Sequence, residues 1–300
     1  MDDVEEHFGK CALCWNETVL ELSHIVPKLV IRELKKTSVG AIRNTANPNG
    51  TVQDGEKHYM LCGNCEDLFN VYETEFAKAV FHPYVRGESD TFNYDEKLFY
   101  LLTSISWRSL YQDLLDFVPN HVVGIDALEC LIESEKIMRD FLLHKRTDIG
   151  AIENHIFFFD QVISMEGTEH GISSAEARPN ETMHRSVSSY TSCDEVGKTY
   201  FTITNMMGLV LITYYKMGPN ERHVNTKVVN GIGTIVAKNQ QMQSSACGEF
   251  SYMMKNTTEA TNSMSENQKQ KAIERIKKVG EDIVNSAAYK DWVNDQNIKR

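Results

Sequence analysis

The chain has 300 residues, 41% of them hydrophobic and 24% charged, with a formal net charge of −11. That composition is ordinary for a globular protein able to bury a sizeable core, in one large domain or two. The longest strongly apolar stretch, Met206 to Tyr215, is far short of a bilayer span, so no transmembrane helix is expected.

The charge is uneven: −4 over residues 1–86, −12 over 87–197 and +5 over 198–300. An acidic total disfavours non-specific binding to nucleic acid, because each phosphate contact needs a local cation, but it leaves room for a local basic face. The acidic start, Met1-Asp-Asp-Val-Glu-Glu6, has no apolar core of the kind a signal peptide needs. Four of the seven cysteines fall in two pairs and three are scattered (Cys130, Cys193, Cys247), which reads as an intracellular, cytoplasmic chain.

In chain order, residues 1 to 10 read as a solvated leader. Cys11-Ala-Leu-Cys14 and Cys62-Gly-Asn-Cys65 follow as two Cys-x-x-Cys knuckles of identical spacing. Such a pair forms the two halves of one tetrahedral site, four thiolates closing around a structural Zn²⁺, whereas a redox pair needs only one motif. Glu17 to Leu22 has strand character. Pro27 opens a predicted helix, its missing N–H costing nothing in the first turn. On that helix Lys28, Arg32, Lys35 and Lys36 share one face, with Val30, Ile31 and Leu34 inward. A basic stripe of this kind suits a phosphate backbone, and equally a solvated helix face. Ser38 to Lys57 is polar and turn-rich, with Asn47-Pro-Asn-Gly50 and Asp54-Gly55. Tyr59-Met-Leu61 resumes as a short strand, and Glu66 to Phe81 shows helical spacing.

Knuckle, strand, loop, strand, knuckle and helix describe a treble-clef arrangement, and at this point the residues resemble the zinc-containing HNH endonuclease family. The resemblance rests on Cys11/Cys14, on Ser23-His24-Ile-Val-Pro27 as the family's His-Ile-x-Pro signature, and on Leu61-Cys62-Gly-Asn-Cys65. It covers roughly the first quarter of the chain. It implies a metal-dependent endonuclease acting on DNA, with His24 as the general base, an imidazole suiting that role at neutral pH. A catalytic Mg²⁺ or Mn²⁺ would stabilise charge at the scissile phosphate, since a zinc held by four thiolates keeps no open position. Two positions depart from the family pattern. Ser23 stands where an acid or histidine is common, and Glu66 stands where a histidine follows the last cysteine. Glu66, with Asp67 beside it, offers hard oxygen ligands for the catalytic cation. The family's middle asparagine has no counterpart in Glu56-Lys-His-Tyr59, leaving Asn44, Asn47 or Asn49. The resemblance also implies a role in bacterial restriction or phage defence, as for similar stand-alone proteins. The alternative is a non-catalytic zinc module that binds nucleic acid or a protein partner through Lys28, Arg32, Lys35 and Lys36. A homo-oligomer is compatible with either.

Residues 87–300 suggest a second, α+β region. Helices are predicted over about 95–146, the first capped by Asn93 or Asp95, the second carrying Leu128, Leu131, Ile132, Met138 and Leu142 inward. His155 to Asp160 reads as a strand and 164–197 as a loop. Hairpins are predicted over 199–237, one turning at Asn205-Met-Met-Gly208 and one at Asn230-Gly231. Residues 239–265 are polar, and an amphipathic helix is expected over about 266–286 with Ile273, Ile276, Val279 and Ile283 on one face. The histidines other than His24 form no pair with metal spacing. The fold expected is α+β: a treble-clef (ββα-metal, HNH-like) zinc module over 1–86, then a mixed helical and antiparallel-strand region over 87–300.

Overall fold

The computed structural model describes residues 6–160 and 178–298 and shows a mixed α/β chain whose sheets are antiparallel. Strands β1 (Phe8–Lys10), β2 (Glu17–His24) and β3 (Lys57–Cys62) form a three-stranded sheet in that order. The expected leader therefore ends in a strand, because Phe8, Gly9 and Lys10 pair with Val19, Thr18 and Glu17 across the first knuckle. Helix α1 (Lys28–Thr37) lies between β2 and β3, and α2 (Gly63–Phe76) grows directly from the second knuckle. A wide π turn (Ala77–Phe81) carries α2 into the short α3 (His82–Val85), followed by β4 (Thr91–Tyr94).

The centre of the molecule is α4 (Glu96–Asn120), capped by the Asp95 carboxylate, which accepts from the Lys97 N–H at 3.0 Å. Every residue from Leu98 to Leu110 is buried, so this segment is covered all round rather than amphipathic. Its polar side chains are satisfied within the core. The Thr103 and Ser104 hydroxyls donate to the Phe99 and Leu101 carbonyls, and Ser106 meets Thr213 at 2.6 Å. α2 packs on α4 from one direction, and α5 (Ile125–Leu142) with a five-stranded sheet from others.

That sheet has the order β10-β5-β8-β7-β6, from β5 (Glu153–Phe158), β6 (Val187–Asp194), β7 (Thr199–Met206), β8 (Leu209–Lys216) and β10 (Lys227–Val228). The β7–β8 hairpin turns at Met207-Gly208, within the loop expected for it. Both strands are buried on both faces. Leu209, Leu211 and Tyr215 join the cluster around α4, and Phe201, Ile203, Ile212 and Tyr214 a second cluster with Met253 of α7 (Cys247–Asn262). Between β8 and β10 lies β9 (Arg222–Val224), and between β10 and α7 lie β11 (Gly233–Val236) and β12 (Gln241–Gln243). The larger cluster runs from Cys11 of the first knuckle through Phe81 and the α4 core to Ile235, so the N-terminal sheet and the five-stranded sheet share it.

Several expectations are corrected. The loop expected over 164–197 contains helix α6 (Pro179–His184) and the whole of β6; its first part, to 177, lies outside the described residues. β6 is polar, and its partner β7 decides it: Ser189 meets Thr204 and Thr191 meets Thr202 through hydroxyl pairs of 2.6 and 2.8 Å. The Asn230-Gly231 hairpin does not form. Lys227–Val228 pairs with β5 and Gly233–Val236 with the remote β4, so tertiary pairing overrides the local turn signal. Ile132 of α5 is exposed rather than inward. The polar stretch 239–265 contains β12 and α7. The single helix expected over 266–286 is α8 (Glu266–Val279), a 3-10 segment (Gly280–Asn285) and then α9 (Ala287–Gln296). Gly280, at φ 65° and ψ −141°, takes a positive-φ conformation open essentially to glycine alone, and α8 stops there. The face holding Ile273 and Ile276 is exposed, because no element covers it among the described residues.

Candidate metal centre

The first knuckle is the loop between β1 and β2. Cys11 N–H donates to the Asn16 carbonyl and Trp15 N–H donates to the Cys11 carbonyl, both at 2.9 Å. Trp15 takes the left-handed conformation (φ 65°) that closes this turn. Ala12 N–H donates to the Met60 carbonyl at 2.9 Å, tying the knuckle to β3. The second knuckle ends β3 and begins α2, with Cys62 at the N-cap position and Cys65 in the first turn. A helix N-terminus favours negative charge, so thiolates are suited to this place.

These two turns bring the Sγ atoms of Cys11, Cys14, Cys62 and Cys65 within 4.8 Å of one another. The Cys14–Cys62 sulfur separation is 3.8 Å. A tetrahedral ion with metal–sulfur bonds of about 2.3 Å requires sulfurs about 3.8 Å apart, so the spacing fits a shared ion. Cys11, Cys62 and Cys65 are buried and Cys14 is partly buried, which gives a closed site rather than an open one. The thiols are strongly unequal. The Cys65 thiol and backbone donors pull Cys11 down to about 4, the same contact and burial push Cys65 up, and burial raises Cys14. Four sulfurs this close cannot all ionise unless a cation neutralises them, and a metal is the direct solution. The four cysteines are positioned to bind a metal ion, and the donor set is consistent with structural zinc.

The cluster is braced from outside. The Arg139 guanidinium of α5 lies 3.8 Å from the Trp15 ring centroid and pairs with Glu135 at 3.2 Å. Glu135 also accepts from the indole N–H of Trp107 in α4 at 2.9 Å. A cation–π contact thus joins the knuckle to the helices that cover it.

His24 ends β2. Its Nε2 lies 3.1 Å from Oδ1 of Asp54, in the loop between α1 and β3, and the imidazole retains 13% of its exposure. Lys57 pairs with the other Asp54 oxygen at 3.2 Å, and Gly55 N–H donates to Oδ1 at 2.9 Å. Burial pushes the Asp54 carboxyl up, but the His24 imidazole and the Lys57 ammonium outweigh it and hold the group well below the usual carboxylate range. Gly55 lets the loop approach: a Cβ there would meet Ile31 Cγ1 at 2.8 Å. Beneath the pair, buried Arg108 of α4 donates to the His24 carbonyl at 2.8 Å and to Glu73 Oε1 at 3.0 Å. Ser23 points the other way, as strand alternation requires, and its hydroxyl accepts from Leu61 N–H in the core.

The remaining predicted residues are dispersed. Lys28, Arg32, Lys35 and Lys36 are exposed on α1, and Lys35 donates to the Gln53 carbonyl of the same loop that carries Asp54. Glu66 lies in the first turn of α2 with one buried carboxylate oxygen that has no hydrogen-bond partner, and Asp67 is exposed. Among the described residues, only the four cysteines form a group of three or more potential metal ligands, so Glu66 and His24 do not share one. Asp54 is the functional candidate that sequence reasoning missed. Asp54-Gly55 reads as a turn former, and only its polar surroundings hinted at more.

The fold and the site define the class: a mixed α/β chain with an N-terminal four-cysteine cluster positioned to bind a metal ion. No helix among the described residues is long and apolar enough to cross a membrane. Comparison of the chain with protein-family models, with curated proteins and with solved structures finds no match.

Proposed function

We propose that residues 1–86 form an HNH-like, treble-clef zinc module that hydrolyses phosphodiester bonds in DNA. The observation that carries this reading is the His24–Asp54 pair, 3.1 Å apart. The loop that carries Asp54 touches the basic helix α1, where Lys35 donates to the Gln53 carbonyl. The Asp54 carboxylate, 3.1 Å from Nε2 but not hydrogen-bonded to it in this geometry, would favour the proton there and leave the lone pair on Nδ1, the atom that would accept a proton from the attacking water. Lys28, Arg32, Lys35 and Lys36 would hold the flanking phosphates. The zinc would hold β3, α2 and the first knuckle together and take no part in the chemistry. Among the described residues the donors for a catalytic Mg²⁺ or Mn²⁺ are not assembled, since no third ligand joins His24 and Asp54 there. No step is therefore derived through such an ion. A place in restriction or phage defence rests on the resemblance alone.

Plasmid nicking tests this reading, with Mg²⁺, Mn²⁺ or neither, comparing the wild type with His24→Ala and Asp54→Asn. Cleavage that His24→Ala abolishes and Asp54→Asn reduces supports it. Absence of cleavage under every condition, or equal cleavage by all three proteins, removes it.

The incomplete donor set favours a second reading, a non-catalytic zinc module that binds nucleic acid or a protein partner through α1. Binding would then weaken with salt, survive His24→Ala and fail when the four α1 charges are reversed.

A further inference from the structure

Helix α8 carries an apolar row, Ile273, Ile276 and Val279, that is 45%, 47% and 37% exposed. Its order comes from its ends. Ser265 N–H at the N-cap donates to Asn49 Oδ1 at 2.8 Å, and Arg43 donates to Gln268 Oε1 at 3.0 Å. Beyond Gly280, α9 is locked to α6: Asp295 accepts from Asn180 and Glu181 N–H groups at 2.9 Å, and Asp291 pairs with His184 at 3.0 Å. A helix of this length is marginal by itself in water, and here both ends are pinned while the apolar face is left unspent. Lys269, Arg275 and Lys277 lie three or four positions from the apolar residues, so a basic rim borders the row.

The opposite surface exists elsewhere on the chain. At the tip of the α4–α5 hairpin, Ile125 and Ile132 are 75% and 47% exposed, and Leu115 and Val118 are exposed on the last turns of α4. Glu129 lies on α5 between Ile125 and Ile132 on the same helical face, with Glu133 one turn further. This tip belongs to the strongly acidic middle of the chain, and α8 to its basic end.

We infer that α8 docks on the α4–α5 tip of a second copy of this chain. The apolar rows bury one another, and Arg275 and Lys277 meet Glu129 and Glu133. The two patches are different surfaces, so the contact is heterologous: reciprocal docking closes a dimer, and one-way docking builds a ring or a chain. A second copy is the occupant because this chain itself carries an apolar face with charge complementary to that of α8. The inference is independent of the nuclease reading.

Sedimentation velocity on the full chain, over a concentration series at low and high salt, tests it. The wild type is expected to associate beyond the 34.2 kDa monomer, less so as salt rises. Ile273→Asp with Ile276→Asp should give monomer throughout. Arg275→Glu with Lys277→Glu, and separately Glu129→Lys with Glu133→Lys, should each be monomeric, and mixing these two proteins should restore association. All the substituted residues are exposed, and circular dichroism confirms that each variant folds. A monomeric wild type, association that the α8 variants leave unchanged, or a mixture that stays monomeric overturns the inference. So does an α8 whose charge reversal removes only DNA binding, since nucleic acid would then be the occupant.

Discussion

His24 and Asp54, on different elements, meet with Nε2 and Oδ1 3.1 Å apart, and the approach is permitted by Gly55 between the loop and Ile31. The Asp54 carboxyl is held below its ordinary value of 3.8. A carboxylate depressed in this way stabilises the fold above that value and loses its contribution as pH falls through and below it. The pair is partly exposed, so the effect is screened and worth about 1 kcal/mol at neutral pH. Urea unfolding of Asp54→Asn should show a loss of that size at pH 7 that shrinks towards pH 3. An equal loss at both pH values would mean that packing, not charge, is responsible.

Metal removal should act on the fold before it acts on any activity. The cluster joins β1, β2, β3 and α2, and its sulfurs lie too close for all four to ionise without a cation. Purified protein should contain one zinc per chain by elemental analysis. Chelation, or Cys11→Ser, should lower the thermal midpoint sharply, at a cost of at least about 4 kcal/mol. A metal-free protein with an unchanged midpoint would show the four thiols to be unoccupied.

Arg108 is buried, and it bridges α4 to Glu73 of α2 and to the His24 carbonyl. Removing one member of a buried pair leaves the other uncompensated, which costs about 3–5 kcal/mol. Arg108→Met should therefore lower the denaturation midpoint by that order, while Arg108→Met with Glu73→Leu should recover part of the loss. A double mutant with simply additive losses would assign the cost to the His24 carbonyl and to packing.

His155 on β5 and His223 on β9 lie with ring centroids 4.4 Å apart. Burial, reinforced by the facing His223, depresses His155 from 6.5 to about 4, against the opposing pull of Glu153, which also pairs with Lys227. Burial also lowers His223, against the pull of Glu221. Histidines kept neutral by the fold bind protons more readily when unfolded. Stability should thus be complete above about pH 6.5 and fall as pH drops towards 4. His155→Gln should flatten that limb of a stability–pH curve measured by urea unfolding. An unaltered slope would assign the acid sensitivity to other groups.

What the sequence by itself determined is what local spacing can encode. Two Cys-x-x-Cys motifs announce four sulfurs at one site, and the structure gathers all four. Periodicity marks α1, α4 and α5 because one turn of helix repeats within a few residues, and Asp95 caps α4 as its side chain suggests. Tertiary structure decided whatever depends on a partner remote in the chain. Asp54 reads as a turn until the loop folds back on His24, and β6 reads as a loop until β7 pairs with it. Asn230-Gly231 reads as a hairpin until β4 and β5 claim its two flanks. Ile273 and Ile276 read as one apolar helix face, yet no element covers that face among the described residues. Backbone pairing and burial are settled by which surfaces meet, and that information is spread over the whole chain rather than held in any one stretch.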